Sequence, residues 1–217
     1  MRIKKYIILN ALIAFAVGAS NSQTRTVEKQ TLISTELPKI AITVDPAFKY
    51  IGKFDFVLKE IAKGERYVFV DADRGKKIKR LFIAQFEGFI PGNSHTYNYR
   101  FDNAELMAGH KFRQNTFAYS NLESERDAPA AEAALTAKFL RDRGYKLEDE
   151  LMMSRFLTVP DAERRNELIL FYLENASTTG KNIADFYADD EETTVWKNIS
   201  VGLTARSREA FKVSSIP

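Results

Sequence analysis

Run after run of alternating apolar residues is the feature that most restricts how this chain can fold. Phe54, Phe56 and Leu58 alternate with Asp55, Val57 and Lys59, the period of a strand with one buried face. Tyr67–Val70 reads as a second strand and Ile78–Glu87 as a third. The third carries apolar residues on both faces: Ile78, Phe82, Ala84 and Phe86 on one, Leu81 and Ile83 on the other. The polar stretch 71–77 between them (Asp-Ala-Asp-Arg-Gly-Lys-Lys) reads as a hairpin connection. After the break at Pro91-Gly92-Asn93-Ser94, Tyr97, Tyr99 and Phe101 alternate with polar neighbours, and a further extended run covers about 111–119. Two strong strands follow at 150–159 and 166–174, joined by Pro160-Asp-Ala-Glu-Arg-Arg165.

Helical signals are fewer. The Ala-rich stretch 128–143 is the clearest, with Asp127 placed to cap it, Pro129 in its first turn and Gly144 after its end. Ala131, Leu135 and Phe139 give it one apolar stripe. The tail from about 193 to 212 reads as a second helix, burying Trp196, Ile199, Leu203 and Phe211. Hairpin-linked strands interrupted by helices predict an α+β fold: a single domain over 38–217, mainly antiparallel sheet with helices packed on one face. Residues 20–37 are polar and read as a flexible lead-in.

The first nineteen residues predict where the domain works. Arg2, Lys4 and Lys5 precede an apolar run from Tyr6 to Val17, then small residues at Gly18, Ala19 and Ser20. That order is a cleavable signal peptide over 1–19, and the run is short for a membrane anchor. The chain has 32 basic and 29 acidic residues. Loss of the three leader cations leaves 29 of each, so the basic excess a nucleic-acid surface needs does not survive processing. Cysteine is absent from the chain. An exported domain without disulfides must be held by its core, and the 198 residues left from 217 suffice for one. Thiolate metal sites, thiol nucleophiles and a lipidated Cys are excluded with it. The expected location is the periplasm or the medium, with no stable transmembrane segment after processing.

Candidate chemistry concentrates around 87–119. Glu87, His95, Tyr97, Tyr99, Arg100, His110 and Arg113 could converge if the strands carrying them are neighbours. A carboxylate with two imidazoles could bind a metal or move a proton. The histidines are fifteen residues apart, however, and the spacing favours two solvated turn residues. Asp71–Gly75 lacks the later ligands of a calcium loop, with Phe82 standing where its glutamate belongs. The acidic runs 148–150 and 189–192 read as solvated connections, the second favouring the N-terminus of the following helix. No phosphate-binding glycine loop or nucleophile elbow is present. No cofactor and no metal are expected.

Sixteen Phe and nine Tyr make the core aromatic, and some tyrosine hydroxyls are expected to face a cavity. The leading expectation is therefore a non-enzymatic binding module for a small or amphipathic ligand, or for an envelope component. Glu87, His95, Tyr97, Tyr99, His110 and Tyr119 are its candidate contact residues. A metal-dependent or Glu/His hydrolase, and an envelope interaction or assembly protein, are the alternatives.

Overall fold

Strands dominate the chain. A computed structural model describes residues 24–216; the predicted signal peptide at 1–19 lies outside them. The first elements are β1 (Arg25–Glu28), β2 (Thr31–Ser34), β3 (Ile40–Val44), β4 (Lys49–Leu58), β5 (Ala62–Ala72) and β6 (Ile78–Phe89). Then come β7 (Glu105–Met107), β8 (His110–Ser120), α1 (Asn121–Asp127), α2 (Glu132–Asp142), β9 (Glu150–Thr158) and β10 (Asn166–Asn175). The chain closes with α3 (Ile183–Phe186), β11 (Tyr187–Ala188), β12 (Glu191–Glu192), α4 (Thr194–Glu209) and β13 (Phe211–Ser215). The result is a single, mainly antiparallel α+β domain. Among the described residues, no helix is long and apolar enough to cross a membrane.

Seven strands form the main sheet in the order β4-β5-β6-β10-β9-β8-β7, and β1-β2-β3-β13 form a smaller one. Direct opposition of residues in an antiparallel pair places both partners on one face of the sheet. Thus Val68, Ile83, Phe171 and Arg155 share a face, while Phe69, Phe82, Tyr172 and Ser154 share the other. The second face is covered by the small sheet and α4: Phe69, Phe82, Phe156 and Tyr172 pack with Ile40, Ile42, Phe211, Trp196 and Leu203. The first is covered by α2, through Phe139 and Leu140 against Val68, Ile83 and Phe171.

Helices therefore lie on both faces, where the sequence predicted one. The reason is written in β6, β9 and β10, which are apolar on both sides and buried along nearly their whole length. A sheet of that kind needs cover twice.

The lead-in expected to be flexible instead holds the β1–β2 hairpin across its described part. An edge strand has one solvated face, so a polar composition does not prevent pairing. Leu32 is wholly buried, and Arg25 reaches Glu65 at 2.7 Å while its guanidinium lies 4.0 Å from the Phe86 ring centroid.

The predicted strand around 96–101 is also corrected. The segment has no ladder partner and is tied down by residues of the 160–165 connection. Tyr97 N–H donates to the Arg164 carbonyl at 2.8 Å, and the Arg164 guanidinium donates back to the carbonyls of Tyr97 (2.7 Å) and Tyr99 (3.1 Å). The predicted helix over 128–143 starts late, at Glu132, behind a break that separates it from α1. Pro129 disfavours helical geometry in the residue before it, and Ala128 takes φ −143°, ψ 68°. Asp127 accordingly ends α1 rather than capping α2, and Gly144 at φ 75° stops α2 as expected. Phe211, expected in the last helix, belongs to β13, while Thr193 caps α4 by accepting from Trp196 N–H.

Leu203 on α4 is wholly buried, and its replacement by Ala should lower the unfolding free energy by about 2–5 kcal/mol. Urea unfolding followed by emission of Trp196, the single tryptophan, measures this directly. A loss below about 1 kcal/mol would show that α4 is not part of the cooperative core.

Candidate functional site

The covered face of the main sheet is not filled to its end. Toward the sheet α2 turns short side chains, Ala133 and Thr136, and only further along does Phe139 reach across to meet Phe54, ring centroids 4.9 Å apart and tilted by 38°. The shortage of side-chain volume leaves a cavity of about 890 Å³ between sheet, α1, α2 and the 97–99 segment. Its floor is apolar, built from Leu81, Ile83, Phe117, Met153, Ile169 and Phe171. Its size suits a small organic ligand, for which such pockets run to roughly 300–1,000 Å³.

One end of the cavity is polar. Glu87 on β6 and Glu167 on β10 stand directly opposite each other in the ladder, so their side chains leave the same face side by side. Glu87 accepts from the Tyr97 hydroxyl at 2.7 Å and from Gln85 at 2.9 Å. Gln85 in turn receives Arg66 Nε at 2.5 Å, and Arg66 Nη1 donates to the Glu132 carbonyl (2.7 Å) and the Thr136 hydroxyl (2.5 Å). This chain of bonds ties β5 and β6 to the first turn of α2. Arg155 donates to Asn115 at 3.1 Å. Glu167 is different: it is 4% exposed, and its Oε2 has no hydrogen-bond partner among the described residues.

Burial disfavours charge on all of these groups. Desolvation, with the neighbouring Glu87 charge, pushes the Glu167 carboxyl up to about 8, against the opposing influence of the Tyr99 hydroxyl and Arg155. Glu87 is raised for the same leading reason, partly offset by its bonds from Tyr97 and Gln85. Burial pulls the Arg66 guanidinium down to about 10, which still leaves it charged at neutral pH. Burial raises Tyr97, Tyr99 and Tyr119 as well, so all three are neutral hydroxyls near pH 7. A partly open, mostly apolar space ending in a cluster of acidic side chains can hold an amphipathic molecule by its body and orient it by its head.

Of the residues singled out in the sequence, Glu87, Tyr97, Tyr99 and Tyr119 line this cavity together. The histidines do not join them. His95 is exposed and lies against the outer side of Phe89, ring centroids 5.6 Å apart, while Tyr97 stacks on the same ring at 4.5 Å. His110 opens β8 in a shallow depression shared with Leu37, Pro38 and Pro160, and burial lowers its pKa. Both are corrected as cavity residues for one reason: each sits at a chain reversal, outside the strand stretch that forms the floor. Arg100 and Arg113 are exposed and do not line the cavity either. Among the described residues, no group of three His, Asp or Glu side chains is arranged to hold a metal ion.

Sequence reasoning missed Arg66, Glu132, Arg155 and Glu167. A signal was present, because Gln85, Glu87 and Glu167 interrupt otherwise apolar strands at positions whose neighbours point inward. The other acidic runs have local duties. Asp149 accepts from Ser120 Oγ and Leu122 N–H at the start of α1, Glu148 pairs with Lys77, and 189–192 form the exposed β11–β12 turn. Ser154, on the opposite face, is buried and bonded to Ser207 at 3.0 Å and Gln114 at 3.1 Å. No protein-family model, curated protein or solved structure matches this chain.

Glu167 makes the stability of the protein sensitive to pH. Its folded pKa of about 8 lies above the ordinary 4.5, so the folded state holds the proton more tightly. The stability tied to that proton is fully present below 4.5 and is lost as pH rises towards 8. Glu167→Gln should remove most of this dependence and, at pH 8.5, be the more stable protein by on the order of 2 kcal/mol. Thermal unfolding of both proteins between pH 5 and pH 9 compares the slopes. Parallel curves would contradict the assignment.

Proposed function

We propose that this chain is an exported, non-enzymatic binding module that carries or senses a small amphipathic ligand in the periplasm or cell envelope. The observation that carries the reading is the two-part cavity, with an apolar floor supplied by four adjacent strands and a polar end supplied by Glu87, Glu167 and their partners. The leader pattern at 1–19 supports the export half. Tyr97, Tyr99 and Tyr119 are proposed as ligand contacts, since each offers a ring to the apolar body and a hydroxyl to the head.

The alternatives draw less support. A hydrolase built on Glu87, His95 and His110 needs those side chains within reach of one substrate atom, and only Glu87 lines the cavity. An assembly surface would call for a contiguous apolar patch. The large apolar side chains most exposed outside the loops, Val57, Leu106, Leu122 and Val201, are spread over β4, β7, α1 and α4.

The test uses N-phenyl-1-naphthylamine, an apolar dye uncharged at neutral pH that brightens on leaving water. Saturable binding near one dye per chain is expected. Ala133→Trp, which puts an indole into the cavity from α2, should weaken it by about tenfold or more while the protein stays folded by circular dichroism. Absent saturable binding, or binding indifferent to Ala133→Trp, would overturn the reading.

A further inference from the structure

The charges around the cavity are unbalanced. Glu87, Glu132 and Glu167 line its inner end, and Glu123 and Asp127 line it from the exposed side of α1. Against these five carboxylates stand two guanidiniums, Arg66 and Arg155. Arg66 is buried and gives Nε and Nη1 to Gln85, the Glu132 carbonyl and Thr136, while Arg155 gives Nε to Asn115 with its guanidinium carbon 5.5 Å from the Phe117 ring centroid. Of the outer acids, Asp127 pairs with Arg126 at 2.8 Å. The inner end has no comparable lysine or arginine partner for Glu167, whose Oε2 is buried and unpaired among the described residues.

We infer that the polar head of the ligand is a cation: a small organic ammonium on an apolar body, seated against Glu167 with Glu87 and Glu132 beside it. This inference rests on the proposal that the cavity binds an amphipathic molecule, and adds the sign and chemistry of its head. Three arguments converge. A buried carboxyl oxygen without a partner is costly, and an ammonium brings up to three N–H donors and a positive charge that favours the carboxylate over the protonated form. Tyr97 and Tyr99 wall the same end as a stacked pair, centroids 6.0 Å apart and 12° from parallel, and aromatic faces attract cations. The exposed Glu123 and Asp127 place further negative charge on the cavity's outer side, which favours entry of a cation over an anion.

An anionic head would meet the opposite conditions, with five acidic side chains around it against two guanidiniums. A neutral hydroxyl could satisfy Glu167 Oε2 with one hydrogen bond, but it would leave the charge imbalance as it stands. Charge complementarity therefore separates three ligands that share one apolar tail.

The experiment displaces N-phenyl-1-naphthylamine from the purified protein at pH 7 with decylamine, decanol and decanoate, each below its aggregation concentration. Decylamine should displace the dye at a concentration about tenfold lower than decanol, with decanoate weakest. In Glu167→Gln, folded by circular dichroism, the advantage of the amine over decanol should fall to about threefold or less. Equal or better displacement by decanol or decanoate in the native protein would overturn the cationic head and leave the cavity reading standing. So would an amine preference that survives Glu167→Gln. Failure of the native protein to bind the dye at all would remove both proposals together.

Discussion

A sheet whose central strands are apolar on both sides must be covered on both sides, and the rest of this molecule follows from how that cover is supplied. β6, β9 and β10 have no face they can leave in water. On one side the cover is tight: a second sheet and α4 bring Trp196, Leu203, Ile42 and Phe211 against Phe82, Phe156 and Tyr172, all closely buried. On the other it comes from short helices and an irregular segment, and side-chain volume runs out before the sheet ends. The cavity is the consequence of that asymmetry. Native interiors are otherwise packed nearly without voids, so a space of about 890 Å³ marks a place where packing has given way to something else.

The polar end of the cavity is held as a network rather than as isolated pairs. Arg66 is the hub, because its bonds to Gln85, Thr136 and the Glu132 carbonyl join the sheet to α2, and Gln85 passes the connection to Glu87. Buried networks of this kind are favourable when every member is satisfied and costly where one is not. Glu167 is the member left over. Its cost is lowered at neutral pH by retaining a proton, which follows from its raised pKa, and a ligand that supplied donors and positive charge would remove it altogether.

Much of the framework was legible in the chain. The strands at 150–159 and 166–174 and the 71–77 hairpin stand close to β9, β10 and the β5–β6 turn, because long apolar runs bounded by polar turns leave few other solutions. The alternation of Tyr97, Tyr99 and Phe101 was also real, since it turns the rings inward, although the segment pairs with no strand. The misreadings share a cause. The polarity of 20–37 suggests flexibility, yet an edge strand such as β1 tolerates polar residues. The helix signal over 128–143 starts too early, because the residues around Pro129 stay outside α2. For the site, Glu87 and three tyrosines were visible as polar or amphipathic groups in apolar surroundings. The histidines attracted attention by their chemistry alone, and their position at chain reversals keeps them out of the cavity.

Local pattern determined the central strands, most of the turns, the α+β class and the need for a core without disulfides, because each depends on residues close together in the chain. Tertiary structure decided which face each helix covers, where the cover falls short, and that Glu87 meets Glu167 eighty positions further along the chain. Pairing register and residual volume depend on every element at once, and no stretch of sequence carries them by itself.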